Sequence, residues 1–254
     1  MTSEKRMVID SCCGSSSSEE AKAASAGNAI ERSDDKVRQS VREEYTKVVE
    51  DGGWGSSEKM GYSQEELESL PEGADLGVGC GNPTAFALIQ PGDVVVDLGS
   101  GAGIDCFLAA QKAGETGKVI GVDMIPQMLD KARANAKQGG HENVEFRLGE
   151  IEHLPIADNT VDLIISNCVI CLTPNKQPIF MEAFRVLKPG GKIMIADLVL
   201  SEAAKPGSKG MMKEEYLKVI KTAGFEDIKI VREIGYNEEQ STISVTVKAT
   251  KPAS

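Results

Sequence analysis

The sequence predicts an α/β fold built on a mostly parallel β-sheet. From Asp93 onward, short β-rich runs alternate with stretches of helical periodicity, which is the pattern of successive βαβ units. A glycine-rich turn at residues 99–103 follows the first of these runs and leads into a helix. Near the end of the chain, two β-rich runs are separated only by the polar residues 237–240, which predicts a closing antiparallel pair.

The elements are predicted from periodicity and turn residues. Five strands are expected at residues 94–98, 119–122, 144–148, 163–166 and 192–200. Helices are expected at residues 104–113, 126–137, 178–187 and 213–223, and the closing strands at 227–234 and 242–249.

Two segments precede this region. Residues 1–32 are rich in Ser, Ala and Gly, so we expect a flexible N-terminal segment. Residues 33–90 are expected to form a helical N-terminal extension. One amphipathic helix runs from Ser33 to the glycines at 52 and 53, and Ser63 with Glu66 makes a capping-box pattern before a second, short helix. The core of the fold then covers residues 91–200, and residues 201–254 complete the sheet.

Charge and composition limit the classes of partner. The 254 residues include 28 basic and 39 acidic side chains, a net charge of -11, which repels phosphate backbones and anionic lipid. There is no uninterrupted apolar run of about 18 residues and no apolar leader. We therefore expect a cytoplasmic protein, with reduced cysteines, that binds neither nucleic acid nor membrane.

The glycine-rich turn predicts a nucleoside cofactor. Gly99, Gly101 and Gly103 follow the spacing G-x-G-x-G, whereas a dinucleotide fingerprint is G-x-G-x-x-G. The acidic Asp97 precedes the glycines, and a carboxylate at a strand end suits a cationic group such as the ammonium of a methionine moiety. The turn therefore indicates S-adenosylmethionine.

Further cofactor residues follow the next two strands. Asp123, with its neighbour Met124, ends the second strand, where a carboxylate accepts hydrogen bonds from ribose hydroxyls. The alternative for Asp123 is a helix cap before Pro126. After the third strand, Ile151 offers an apolar contact to an adenine ring and Glu150 an acceptor for its amine.

The chain resembles the class I S-adenosylmethionine-dependent methyltransferases. The resemblance lies in residues 97–103, 121–123 and 187–191 and covers roughly residues 91–249. It implies a Rossmann-like, seven-stranded sheet with one antiparallel strand.

A narrower resemblance follows from the cysteines. Residues 77–83 and 165–170, together with 61–63 and 149–152, are similar to the arsenite S-adenosylmethionine methyltransferases. This resemblance implies that Cys80 and Cys168 bind a trivalent arsenical substrate. We also assign Asn167, which precedes Cys168, to the cofactor site.

The chemistry of arsenic agrees with that assignment. Trivalent arsenic is soft and binds thiolates, and its unshared lone pair can attack the sulfonium methyl directly. Such a transfer needs no general base, and the only two histidines, His141 and His153, lie outside any catalytic motif.

The cysteines have different expected roles. Cys106 lies beside apolar residues on a predicted helix and is expected to pack in the core. Cys80 stands between glycines and Cys168 ends a strand, so we expect both to be functional. Cys171 is either a third arsenic ligand or a packing residue.

Zinc and redox functions are weaker alternatives for Cys168 and Cys171, which form a C-x-x-C motif. A zinc knuckle needs a second pair at metal spacing, and the adjacent Cys12 and Cys13 do not provide one. A thioredoxin-type motif opens a helix, whereas here Pro174 follows within three residues.

The chain departs from the family in one segment. There, a third cysteine usually follows the fifth strand, but residues 201–212 contain no Cys and resemble a short flexible link. Inorganic arsenite takes three thiolates and a monomethylated arsenical two. If Cys171 cannot reach the same ion as Cys168, we expect faster methylation of the monomethylated substrate.

The sequence therefore predicts an arsenite methyltransferase that uses S-adenosylmethionine and a thiol reductant of the glutathione or thioredoxin type. Two alternatives stay open. One is a methyltransferase for a small organic acceptor, in which the cysteines only pack. The other is a thiol-based arsenic-binding protein without turnover.

Overall fold

The computed structural model describes residues 26–204, 208–237 and 241–253. Its centre is one seven-stranded sheet in the order β3-β2-β1-β4-β5-β7-β6. The strands are β1 (Val94–Leu98), β2 (Lys118–Asp123), β3 (Val144–Leu148), β4 (Val161–Asn167), β5 (Leu187–Leu200), β6 (Glu226–Asn237) and β7 (Thr242–Thr250). Strands β1 to β5 pair in parallel, and β7 is antiparallel to both β5 and β6. The predicted sheet with one antiparallel strand is confirmed.

The helices flank this sheet. They are α1 (Ala26–Glu50), α2 (Gln64–Glu68), α3 (Ile104–Ala113), α4 (Pro126–Gly139), α5 (Gln177–Val186) and α6 (Lys213–Thr222). Ser63 and Glu66 form the predicted capping box before α2. None of the helices in the described ranges is both long and apolar enough to cross a membrane.

Two elements begin five residues or more before their expected starts. The first helix starts at Ala26 rather than Ser33, so residues 26–32 are helical, while residues 1–25 of the expected flexible segment lie outside the described residues. Strand β5 begins at Leu187 because Leu187 pairs with Val161, and the extra residues of the register shift lie in β5, before Lys192 pairs with Leu163. Residues 205–207 of the expected link also lie outside the described ranges.

Alternating side chains bury both faces of the sheet. Val96 and Leu98 of β1 face α5 and α6, whereas Val95 faces α3 and α4. Burial of both faces is typical of parallel strands, whose crossover helices cover the sheet on each side. A third cluster, at the carboxyl ends of the strands, packs Val48 of α1 against Met128 of α4. A pocket lies beside this third cluster and is lined in part by Tyr45, Val78 and Met128.

Candidate active site

A pocket opens at the carboxyl ends of the parallel strands. The chain order reverses between β1 and β4, and ligands bind at such a switch point in open α/β sheets. The cavity has a volume of about 800 Å³, including its open mouth. Cys168 lines this cavity. So do six of the predicted cofactor residues, namely Gly99, Gly101, Asp123, Met124, Ile151 and Asn167.

The glycine-rich turn forms one wall of the pocket. The backbone N–H of Gly99 donates to the Val122 carbonyl at 2.8 Å, which ties the turn to the end of β2. A Cβ on Gly99 would lie 2.4 Å from the Val169 side chain, and its φ of +71° also favours glycine. The turn is therefore fixed against both β2 and the segment that follows Cys168.

Asp123 joins the turn to the second strand. One carboxylate oxygen accepts the Gly101 N–H at 2.9 Å, and the other accepts the Ile125 N–H at 2.9 Å. Burial raises the pKa of this carboxyl, and hydrogen bonds from backbone N–H groups at Gly101, Ile125 and Met124 oppose the rise. These three bonds leave the carboxylate with acceptor capacity for a ligand hydroxyl. Ile125 is itself the N-cap of α4, and no side chain caps this helix, so the helix-cap alternative for Asp123 is wrong.

Three other predicted cofactor residues lie away from the pocket lining. Asp97 is buried beneath the turn and accepts a hydrogen bond from the Cys106 thiol at 3.3 Å. Burial, with the nearby Asp105, raises the pKa of Asp97 well above its usual value. Gly103 precedes α3, where a Cβ would meet the Phe107 ring, and Glu150 pairs with Arg42 at 2.6 Å. Their assignment to the cofactor stays a prediction.

Helix α1 covers the pocket from the other side. Arg38, Val41 and Tyr45 line it, and Arg38 also pairs with Glu152 at 3.4 Å. The periodicity of the helix indicated an apolar face with Val41 and Tyr45, but it could not show what that face contacts. The sequence reasoning therefore missed this wall of the site.

Asn167 connects the Cys80 loop to the end of β4. Its side-chain oxygen accepts the backbone N–H groups of Cys80 at 3.0 Å and Gly81 at 3.2 Å. Its amide nitrogen donates to the Gly81 carbonyl, to the Tyr62 hydroxyl at 2.8 Å and to Asp105 at 3.3 Å. Asn167 lines the pocket, and its role in cofactor binding stays a prediction. Its hydrogen bonds among the described residues position the Cys80 loop.

The loop around Cys80 lies tightly on the sheet. A Cβ on Gly79, whose φ is +132°, would lie 2.9 Å from the Asn167 amide nitrogen. The Ser244 hydroxyl of β7 donates to the Cys80 carbonyl at 2.7 Å. The Cys80 side chain itself is half-buried. The two neighbouring glycines therefore allow a close approach of this loop to the strand ends.

Cys168 and Cys171 are brought together by the backbone after β4. Cys168 has a φ of +58°, in the left-handed region that non-glycine residues rarely adopt, and its N–H donates to the Ala196 carbonyl at 2.8 Å. A 3-10 turn follows at Ile170–Leu172. The two sulfur atoms lie 3.9 Å apart, Cys168 buried and Cys171 half-buried.

A buried carboxylate, Asp197 of β5, completes this group. It accepts the Cys171 N–H at 3.2 Å and the Tyr216 hydroxyl at 2.9 Å. Burial raises its pKa, while bonds from Cys171 and Tyr216 and the charge of Lys176 oppose the rise. The sequence reasoning missed Asp197 because nothing near it in the chain marks it as part of a site.

Replacement of Asn167 by Ala should loosen the Cys80 loop, because the backbone N–H groups of Cys80 and Gly81 lose their acceptor. We expect the free energy of unfolding to fall by about 2 kcal/mol or more. Amide hydrogen exchange at residues 80 and 81 should become faster.

Asn143→Ala is the matched control for this experiment. Its side chain also donates two hydrogen bonds, to the Ala110 and Gly114 carbonyls, but it lies away from the Cys80 loop. Exchange at residues 80 and 81 that is as slow in Asn167→Ala as in Asn143→Ala would contradict the positioning role.

Comparisons with known proteins identify the family of this chain. A family profile described as a methyltransferase domain matches residues 89–239. The arsenite methyltransferase of Halobacterium salinarum is 41% identical over 88% of this chain and 68% of its own length. That of Aquipseudomonas alcaligenes is 45% identical over 50% of this chain, and the match spans only 38% of that relative's length.

A solved structure adds an independent comparison. The crystal structure of an arsenic(III) S-adenosylmethionine methyltransferase from Chlamydomonas reinhardtii superposes with a TM-score of 0.61 and 30% identity, covering 76% of this chain and 71% of that one. The methyltransferase-domain match covers more than half of this chain, and the Halobacterium relative is similar over most of both chains. The chain therefore belongs to the arsenite methyltransferase family of S-adenosylmethionine-dependent methyltransferases.

Proposed function

We propose that the protein methylates trivalent arsenic held by Cys80, Cys168 and Cys171, with S-adenosylmethionine as the methyl donor. The observation that carries the proposal is the position of the thiols. Cys168 lines the cofactor pocket, and its sulfur lies 3.9 Å from that of Cys171. A soft metalloid bound there faces the cavity in which the cofactor fits.

The residues of the pocket fit S-adenosylmethionine. The Nε of Arg38 is buried without an acceptor among the described residues, so a bound ligand can supply one. Asp123 is placed to accept ribose hydroxyls, and Ile151 to contact an adenine ring. Bound S-adenosylmethionine supplies an electrophilic methyl group on a sulfonium sulfur.

The thiolates bind and orient the arsenic. With two or three sulfurs on one side of the atom, its lone pair points away from them and toward the open pocket. No proton leaves arsenic in the transfer, so no general base is required. In keeping with this, the lining of the pocket contains no histidine among the described residues.

Cys171 supplies the third thiolate in place of the family's cysteine after the fifth strand. Two features support this: the sulfur separation of 3.9 Å, and the fixing of the Cys171 backbone by Asp197. We also assign to the cofactor site three residues outside the pocket lining, Asp97, Gly103 and Glu150. Asp97 acts through water on the methionine ammonium.

The thiols have to be reduced to bind arsenic. We therefore include a thiol reductant of the glutathione or thioredoxin type as a partner, together with a cytoplasmic location.

Asp123→Ala should weaken binding of S-adenosylmethionine by about 2 kcal/mol or more, since the ribose hydroxyls lose a charged acceptor. Calorimetric titration measures the effect. The control is Asp130→Ala. Asp130 is exposed on α4, and its carboxylate lies outside the pocket lining. Equal affinities in the two variants would remove Asp123 from the cofactor site.

Cys80→Ser and Cys168→Ser should each abolish or severely impair arsenic methylation, because a protonated hydroxyl does not replace a soft thiolate. The assay combines arsenite, a small thiol and S-adenosylmethionine labelled in the methyl group. Cys106→Ser is the control, because that thiol is buried against Asp97. Near-normal turnover by a well-folded Cys80 or Cys168 variant would exclude that residue from the arsenic site.

The short distance between the two sulfurs makes the substrate preference depend on Cys171. With three thiolates available, the parent should methylate arsenite and the monomethylated arsenical at similar initial rates. Cys171→Ser should lose arsenite activity by about tenfold, or about 1.4 kcal/mol of barrier, and retain the second activity. Loss of both activities to the same degree, or of neither, would contradict Cys171 as the third ligand.

A further inference from the structure

We infer that Cys168, Cys171 and Asp197 form a binding site for a thiophilic divalent cation, with Zn²⁺ as the reference ion. A ligand atom of each residue, two sulfurs and one carboxylate oxygen, lies within 4.8 Å of the other two. This site does not depend on the proposed function, because it is defined by metal binding alone.

The sulfur separation matches tetrahedral coordination. Two sulfurs that are each about 2.3 Å from a tetrahedral zinc ion stand about 3.8 Å apart. The two thiols already lie 3.9 Å apart, so binding requires little movement of either side chain. The positive φ of Cys168 fixes the direction from which its side chain leaves the backbone.

The carboxylate is held in the way that ligating carboxylates usually are. Its oxygens accept hydrogen bonds from the Cys171 N–H, the Tyr216 hydroxyl and the Cys171 thiol, and the last of these is released when the thiol loses its proton to bind a metal. Such support orients a ligand toward a metal. In the sequence, the C-x-x-C motif alone provided too few ligands for zinc. Asp197 of β5, 26 residues after Cys171 in the chain, supplies a further ligand.

The charges of the group balance around a divalent cation. Two thiolates and one carboxylate carry three negative charges. The cation supplies two positive charges, and the buried Lys176, whose ammonium donates to the Thr173 carbonyl at 3.1 Å, supplies the third. A neutral buried cluster avoids the cost of an unpaired charge in the interior.

The site is suited to exchange rather than to permanent occupancy. Structural zinc sites have four protein ligands, whereas three protein ligands leave a coordination position for water. Cys171 is half-buried and Cys168 lines the pocket, so the cation has a path to solvent. Binding replaces two S–H bonds by two metal–sulfur bonds and releases two protons to the buffer.

The test is a titration of the full chain with Co²⁺ as a spectroscopic probe, followed by displacement with Zn²⁺ in the presence of a chromophoric chelator. We expect one ion per chain, sulfur-to-cobalt charge-transfer absorption, and release of about two protons. Cys168→Ser and Cys171→Ser should abolish these signals. Asp197→Asn should weaken Zn²⁺ binding by at least about tenfold.

Two controls separate this site from the other thiols. Cys106→Ser should bind normally, and so should the double variant Cys12→Ser/Cys13→Ser, which removes the pair outside the described residues. Because Asp197→Asn alters a buried position, Zn²⁺ should also raise the melting temperature of the parent and not that of Cys171→Ser. No stoichiometric binding, or binding that survives Cys171→Ser, would overturn the inference, as would unchanged affinity in folded Asp197→Asn.

Discussion

The carboxamide of Asn167 holds together the two parts of the chain that carry Cys80 and Cys168. It accepts the N–H groups of Cys80 and Gly81 with its oxygen and donates to Tyr62 and Asp105 with its nitrogen. Because Asn167 ends β4 immediately before Cys168, one side chain fixes both cysteine segments relative to the sheet. The close approach of Gly79 to the same amide makes this contact intolerant of a larger residue at position 79.

Three carboxyl groups, those of Asp97, Asp105 and Asp197, are buried, and their ionisation therefore costs free energy. Burial raises the pKa of Asp105 to about 6, although hydrogen bonds from Tyr62 and Asn167 oppose the rise. Asp97 and Asp197 shift in the same direction for the same reason. Such groups are maintained against their desolvation cost by the hydrogen bonds they accept.

The sequence predicted the sheet and most helices because local signals carry them. Hydrophobic periodicity placed the strands, and the glycines around Cys80 and at the cofactor turn marked positions of close approach. The sequence could not identify Asp197 or the contact of Arg38 with the pocket, because both depend on elements that are distant in the chain. Helix α1 also began earlier than Ser33, since residues 26–32 lack the apolar periodicity used to place it. The distance between Cys168 and Cys171 likewise required the left-handed backbone at Cys168.

We propose that Cys80, Cys168 and Cys171 bind one arsenic atom beside the cofactor pocket. X-ray absorption at the arsenic K-edge, on protein loaded with arsenite in a buffer without small thiols, counts the sulfur neighbours of arsenic. We expect three sulfur neighbours in the parent and two in Cys171→Ser. An arsenic shell made mainly of oxygen in the parent, or an unchanged sulfur count in the variant, would contradict it.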